Sequence, residues 1–169
     1  MTRAMALKWV ESEGGPLVLI ERAAARGWSG YRGDYDKTYV VEEATGVITI
    51  NSAGSMIEVL VIGDEPLRTT WLSEYSMVVQ WIYASSEDAL IDGLLGIDPA
   101  SIDWDEGPTI SIGGDALMFD AALPWEEAGV GDALSIALRP GCYRVLTADI
   151  NLDSKNAARL HFLEAIENS

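Results

Sequence analysis

The sequence predicts an α+β, mainly β fold: antiparallel sheets or a sandwich, with one clear helix near residues 86–96. The main observation is two runs, Met56–Ile62 and Met77–Ala84, in which almost every residue is apolar and many are β-branched or aromatic. Runs of this length, bounded by Gly, Asp and Pro, are typical of strands. A strand that is apolar at nearly every position is typically buried on both faces. These two runs therefore form the predicted core.

Short apolar runs and turn residues predict the other strands of the N-terminal half. The turn Gly14–Pro16 separates a Trp-bearing strand, which starts at Lys8, from the apolar strand Leu17–Ile20, because Gly tolerates positive φ and Pro fixes its own φ. Glu21–Arg26 predicts a short helical turn, and Trp28–Asp36 an irregular loop with aromatic anchors. Further short strands are predicted at Tyr39–Val41, at Val47–Ile50 after the turn Thr45-Gly46, and within Leu67–Leu72 after the turn Gly63–Pro66.

The segment after the second apolar run is the clearest helix. Ser85 can act as its N-cap, and the carboxylates of Glu87 and Asp88 lie favourably near the positive end of the helix dipole. Gly96 and Pro99 end the segment. Apolar residues recur at the spacing of one helix face, at Leu90, Ile91, Leu94 and Leu95.

Turns and strands alternate again in the C-terminal half. Asp103–Gly107 is predicted to be an acidic turn that holds Trp104, and Pro124–Asp132 a loop. The alanines of Lys155–Glu167 fit a helix, but its alternation after a hairpin turn at Asn151–Asn156 favours a final strand. Four more strands are predicted at Thr109–Ile112, Ala116–Asp120, Leu134–Leu138 and Gly141–Asp149.

Two segments of the chain resemble each other. Val47–Leu67 and Thr109–Pro124 both show an alternating strand, a turn and a second strand. This similarity fits two repeated β-units packed together. It equally fits two hairpins that share an ordinary strand pattern.

Length and composition predict a single domain over residues 1–169. Nearly half of the residues are apolar, which indicates a globular protein. The single cysteine, Cys142, cannot form an internal disulfide and favours a reducing compartment. The N-terminus has no apolar segment of the signal-peptide type, and the longest apolar run there, Leu17–Ile20, is too short to span a membrane. We therefore expect a cytoplasmic protein.

The charge is strongly acidic and unevenly distributed. The chain has 27 acidic residues against 11 basic ones, a formal net charge of −16. Between Thr70 and Leu138 there are 13 acids and no Lys or Arg. Such a chain should be repelled by nucleic acids and by anionic membranes. The acids either keep the protein soluble or steer a basic partner towards it.

No motif for cofactor or metal chemistry is present. The sequence lacks the phosphate-binding patterns GxxxxGK[ST] and GxGxxG and the zinc motif HExxH. Asp103–Gly107 superficially resembles a calcium loop, but Gly107 replaces a ligand and no glutamate closes the loop. We predict neither a cofactor nor a metal. A Cys142–His161 dyad is a minor possibility, because a cysteine at a strand start is usually a buried structural thiol.

Carboxylate pairs and tryptophans offer a second reading. Glu126-Glu127, Glu42-Glu43 and the Glu11/Glu13 pair are compatible with glycoside cleavage, although pairs arise by chance in so acidic a chain. Six tryptophans are candidates for lining a sugar groove: Trp9, Trp28, Trp71, Trp81, Trp104 and Trp125. Trp104 and Trp125 lie in acidic segments, a setting that favours a partner interface over core packing.

A series of short motifs occurs in order from Lys8 to about Phe162: KWVESEGGPLVLI from Lys8, WSG from Trp28, GDEPLRTTWL from Gly63, VQWIYASSE from Val79, FDAAL from Phe119 and GCYRVLTAD from Gly141. None of them is catalytic. Together they resemble the Imm21 group of bacterial immunity proteins. The resemblance implies a cytoplasmic, non-enzymatic protein that binds and blocks a cognate toxin of a polymorphic or contact-dependent toxin system.

The resemblance and the acidity together suggest inhibition of a basic toxin, such as a nuclease, by stoichiometric binding. We expect the interface to include Asp103, Trp104, Asp105, Glu106, Trp125, Glu126 and Glu127. One alternative is an intracellular carbohydrate-binding or carbohydrate-active β domain. A scaffold or regulatory domain with an acidic face is a third reading.

Overall fold

Two antiparallel sheets of five strands each form the centre of the protein. The computed structural model describes residues 7–63 and 65–167, except for the side chains of residues 129–132. Sheet 1 has the strand order β2-β3-β1-β7-β8, and sheet 2 the order β4-β5-β10-β9-β6. The strands are β1 (Leu17–Glu21), β2 (Thr45–Ser52), β3 (Ser55–Ile62), β4 (Thr69–Leu72), β5 (Met77–Tyr83), β6 (Asp105–Ile112), β7 (Ala116–Asp120), β8 (Leu134–Ile136), β9 (Gly141–Asp153) and β10 (Asn156–Ile166).

Helices are few and short. The α-helices are α1 (Asp34–Lys37), α2 (Glu87–Leu95) and α3 (Trp125–Asp132), and short 3₁₀ helices occupy Arg22–Gly27, Gly30–Arg32, Thr38–Val40, Ser73–Tyr75 and Pro99–Ser101. None of the helices in the described part of the chain has the length and apolar character needed to cross a bilayer. The fold is therefore α+β and mainly β, as the apolar runs predict.

The inner faces of the two sheets pack on each other as a sandwich. Each strand alternates, so that one set of side chains points between the sheets. This inner core joins Leu19, Leu60 and Met118 of sheet 1 to Val145 and Leu163 of sheet 2, all nearly inaccessible to solvent. The prediction that Met56–Ile62 and Met77–Ala84 form core strands is confirmed for β3 and β5. Their burial is confirmed only in part, because Met56 and Tyr83 at the ends of the two runs are exposed.

Each sheet also carries a helical layer on its outer face. On sheet 2, the apolar side of α2, formed by Leu90, Ile91 and Leu94, packs against residues of β5 and β10 such as Val79 and Leu160. On sheet 1, the 3₁₀ segment Arg22–Gly27, Trp28 and α3 cover residues of β1 and β7. The result is four layers, with α2 and α3 on opposite outer sides of the sandwich.

At one edge of the sandwich, β6 of sheet 2 lies against β2 and β3 of sheet 1. The carboxylate of Glu58 in β3 accepts a hydrogen bond from the Ser111 N–H of β6 at 3.1 Å. A Cβ atom on Gly107 would lie 2.6 Å from the carbonyl oxygen of Val145 and 3.3 Å from the Thr45 hydroxyl. Only glycine fits there, because a Cβ atom would clash with the backbone of the neighbouring strand β9.

Several local predictions are confirmed with adjusted boundaries. Residues 156–166 form the predicted final strand, and the long β9–β10 hairpin turns at Ser154-Lys155. The predicted helix is α2, but its N-cap is Ser86, whose hydroxyl accepts from Ala89 N–H at 3.0 Å, rather than Ser85. The prediction of a strand starting at Lys8 is wrong, because the segment makes an isolated bridge between Val10 and Thr69 instead of a strand.

Other local predictions are wrong. Pro124–Asp132 is not a loop, because Trp125–Asp132 forms α3. Tyr39–Val41 is not a strand: Thr38–Val40 is a 3₁₀ helix, anchored where the Thr38 hydroxyl donates to the Tyr35 carbonyl at 2.7 Å. Asp103–Gly107 is only partly a turn, because β6 begins at Asp105.

The two similar segments do not form repeated units. Val47–Leu67 supplies most of β2 and all of β3, which pair as a hairpin within sheet 1. Thr109–Pro124 supplies the second half of β6 and all of β7, which lie in different sheets. The similarity therefore reflects a shared strand pattern.

Candidate partner-binding surfaces

The seven residues predicted from the sequence as an interface lie in two groups on opposite sides of the sandwich. Trp104 packs with α2 on the outer side of sheet 2, and its neighbours Asp103, Asp105 and Glu106 are exposed at the start of β6. Trp125, Glu126 and Glu127 form the first turn of α3, on the outer side of sheet 1. One partner surface of ordinary size does not cover both groups at once.

Trp104 makes more packing contacts than its position among acidic residues suggests. Its ring is partly buried and lies 5.7 Å from the ring of Phe162 in β10, measured between centroids. Its indole N–H donates to the carbonyl oxygen of Pro99 at 3.2 Å. Trp104 therefore helps to fasten the segment after α2 to sheet 2, whatever its role towards a partner.

The surface around α2 carries exposed carboxylates, and we call it the acidic face. It comprises Glu74, Asp88, Asp92, Asp98, Asp103 and Asp105. The Tyr75 hydroxyl donates to the Leu95 carbonyl at 2.7 Å, which joins the segment of Glu74 to α2. Glu106, at the margin, is paired with Arg144 at 3.1 Å. No Lys or Arg belongs to the stretch that supplies this face.

The opposite surface is different in character, and we call it the loop face. It comprises Arg26, Tyr31, Arg32, Tyr39, Val40, Trp125, Glu126 and Glu127. Short helical turns rather than strands build it. The Trp125 ring packs 5.7 Å from the buried ring of Phe119, and its backbone N–H donates to the Trp28 carbonyl oxygen. Contacts with the buried residues Phe119 and Trp28 thus connect Trp125, and with it the loop face, to the β-sandwich.

Side chains on the loop face are already oriented by polar contacts. The Tyr31 hydroxyl donates to the Glu127 carboxylate at 2.5 Å, which raises the pKa of the tyrosine. Arg32 forms an ion pair with Glu126, which raises the pKa of the guanidinium further. The partners are more than 90 residues apart in sequence, so neither contact is readable from local patterns. In the sequence, this part of the loop face is indicated only by the aromatic residues of the segment Trp28–Asp36.

Two clefts flank Trp125 on the loop face. One, of about 550 Å³, lies between the segment Arg26–Ser29 and the start of α3. The other, of about 500 Å³, is lined by Arg22, Arg26, Leu117 and Trp125. Arg26 and Trp125 line both, so these two residues form the ridge between the clefts.

The Cys142–His161 dyad is not formed. In the β9–β10 hairpin Cys142 is opposite Ile166, whereas His161 is opposite Thr147, a separation of about 16 Å along the strand. His161 is fully buried and lies 2.9 Å from the Thr147 hydroxyl and 2.7 Å from the Gln80 side-chain oxygen. Burial is the main reason that its pKa falls to about 3, so its ring is held neutral inside the sandwich.

The other chemical hypotheses find little geometric support. Glu11 is paired with Arg68 at 3.2 Å, and the Arg68 guanidinium lies over the rings of Trp9 and Trp81. All six tryptophans are buried or partly buried, so none offers a fully exposed ring for stacking on a sugar. Within the described residues, no three His, Cys, Asp or Glu side chains are grouped so that they could hold a metal ion.

Comparison with known families identifies the chain. The family model of immunity protein 21 matches residues 8–156, which is most of the sequence. The protein belongs to the Imm21 family. No curated protein and no solved structure is detectably similar to it. The family match spans both sheets except for most of β10, and it includes the residues of the acidic face and of the loop face.

Proposed function

We propose that this Imm21 protein neutralises a cognate bacterial toxin by binding it in a stoichiometric, non-catalytic complex in the cytoplasm. The observation that carries the proposal is the family match over residues 8–156. An immunity protein acts by occupying a surface of its toxin, so it requires a stable, exposed interface rather than reactive groups. The buried position of His161, the only histidine, is compatible with that role.

We further propose that the toxin is basic, for example a nuclease. The support is the net charge of −16 and the acidic face on sheet 2. A field of this sign raises the rate at which a basic protein encounters its partner and lowers the rate for nucleic acid. The residues Asp103, Trp104, Asp105, Glu106, Trp125, Glu126 and Glu127 remain candidate contacts in this proposal, now in two groups.

Co-expression tests the proposal. The partner for this test is a toxin-type protein encoded beside this gene, placed under an inducible promoter with and without the immunity protein. We expect the toxin alone to stop growth, co-expression to restore it, and the two chains to co-elute in a fixed ratio on size exclusion. Continued growth arrest in cells that contain folded immunity protein would contradict the proposal.

A further inference from the structure

The loop face concentrates the exposed apolar surface of the protein. Five large hydrophobic or aromatic residues are exposed in the described part of the chain, and three of them belong to residues 31–40: Tyr31 at 56%, Tyr39 at 69% and Val40 at 75% exposure. Clustered exposed apolar side chains mark interaction surfaces in soluble proteins. Tyrosine is well suited to such surfaces, because it pairs a large apolar ring with a polar hydroxyl.

These residues are close enough together to serve one interface. Residues 30–40 consist of consecutive short helical turns, and a rise of 1.5–2 Å per residue limits their span to roughly 20 Å. A standard interface buries about 800 Å² on each partner, a patch about 30 Å across. The contact between Tyr31 and Glu127 brings α3 and the clefts beside Trp125 into the same patch.

The charges at the clefts indicate what the patch accepts. The chain has 27 acids against 11 bases, and four of the seven arginines that the structure describes have a carboxylate partner: Arg32, Arg68, Arg144 and Arg159. Among the described residues, Arg26 has no carboxylate partner, and the Arg22 guanidinium donates to the Ser135 hydroxyl rather than to a carboxylate. Both arginines line the cleft that Leu117 and Trp125 make partly apolar.

We infer that the loop face is the surface that holds the bound toxin, and that the toxin inserts an apolar side chain flanked by an acidic residue beside Trp125. The inference rests on the proposed function and specifies its contact surface. Guanidinium groups left without carboxylates in so acidic a protein complement an acidic group on the partner. Tyr, Trp and Arg are also the residues that most often dominate binding energy at protein interfaces.

The two faces then have different effects on binding. The acidic face acts at a distance and changes mainly the association rate, and salt screens it. The loop face makes short-range contacts and determines mainly the dissociation rate. Mutations on the two faces are therefore separable by kinetics.

The test uses matched pairs of exposed residues. Tyr39→Ala on the loop face is compared with Tyr83→Ala, an exposed tyrosine of β5 in sheet 2. Arg26→Glu is compared with Arg139→Glu, an exposed arginine outside both faces that also has no carboxylate partner among the described residues. Exposed substitutions of this kind change stability little, and circular dichroism with urea unfolding verifies that each variant folds.

The measured quantity is the dissociation rate from the toxin encoded beside the gene. A co-purified complex that contains fluorescently labelled immunity protein is chased with excess unlabelled, unaltered protein. We expect Tyr39→Ala and Arg26→Glu to release about 10-fold faster, the effect of losing one strong contact, and both controls to stay within about 2-fold of the unaltered protein.

Three other outcomes are distinguishable. Equal dissociation rates for the loop-face variants and their controls, with tight binding of the unaltered protein, would overturn the inference and leave the proposed function standing. Failure of the unaltered, folded protein to bind or to protect would instead overturn the proposed function. A faster release only for Tyr83→Ala or Arg139→Glu would place the contact elsewhere and also overturn the inference.

Discussion

The acidic face and the loop face occupy the two outer sides of the same sandwich, but they are built in different ways. The acidic face is a regular helix and its flanking turns, whose apolar side is buried on sheet 2. The loop face is a series of short turns that leaves Tyr39 and Val40 in solvent. Charge and exposed apolar area are therefore separate properties of a surface. The most charged side of this protein is not the side with the most exposed apolar groups.

Among the changes considered, acid pH should lower the free energy of unfolding the most. It acts through sheet 2, which lies beneath the acidic face. His161 lies in sheet 2, and burial lowers its pKa from 6.5 to about 3, with smaller opposing contributions from Arg159, which lowers it, and Asp149, which raises it. In the unfolded chain this histidine therefore binds a proton below about pH 6.5, whereas in the folded protein it does so only below about pH 3. Stability is fully present above pH 6.5 and falls between these values by up to about 5 kcal/mol.

Urea unfolding at pH 7, 5 and 4 measures this loss. His161→Gln is the control, because glutamine keeps a hydrogen-bonding side chain but does not titrate. We expect the variant to be less stable at pH 7 and to lose less stability on acidification. If the free energy of unfolding fell by the same amount in both proteins between pH 7 and pH 4, the histidine would not contribute to the pH dependence of stability.

The aromatic residues beneath the two faces should differ in their effect on stability. Phe119, under Trp125, is 1% exposed, whereas Phe162, under Trp104, is only partly buried. Phe119→Ala should lower the free energy of unfolding by about 3–5 kcal/mol, because it empties a closed site. Phe162→Ala should cost roughly half as much, since water already reaches part of the ring. Urea unfolding of both variants at pH 7 makes the comparison, and an equal or reversed order would contradict it.

The smallest expected effect is on the acidic face. Asp92→Asn, Asp103→Asn and Asp105→Asn together should leave stability within about 0.5 kcal/mol and slow association with the toxin by roughly 2- to 10-fold at low salt. The difference from the unaltered protein should shrink at high salt, because screening removes the contribution of exposed charges. Stopped-flow association at two salt concentrations measures it. A faster dissociation with unchanged association would mean that the acidic face makes direct contacts.

Much of the fold is predictable because two of its central strands, β3 and β5, are mostly apolar. The strand β10 is favoured by its alternation although its alanines also fit a helix, and α2 can be identified from its apolar side and first-turn acids. α3 is not predictable in this way, because Gly129 and Gly131 lower its helix propensity. It forms in the structure because its first turn has Pro124 as a backbone acceptor and Ala128 packs into the outer core of sheet 1.

The candidate surfaces are less predictable than the fold. Trp125, Glu126 and Glu127 could be selected from their local composition, but their neighbours Tyr31 and Arg32 are brought to them by the pairing of distant strands. The sequence also groups Trp104 with Trp125 because both stand among acids. The sandwich separates them, since α2 and α3 cover different sheets.

The strand order has a consequence for how the protein is made. β1 lies at the centre of sheet 1, and the five strands of that sheet are complete once residue 136 has been synthesised. The centre of sheet 2 is β10, which ends only at Ile166. A nascent chain can therefore assemble the sheet under the loop face while β5 and β9 still expose open edges to one another. The support of the acidic face is completed last, so a ribosome stalled before β10 leaves a chain with one finished sheet and one that is prone to aggregate.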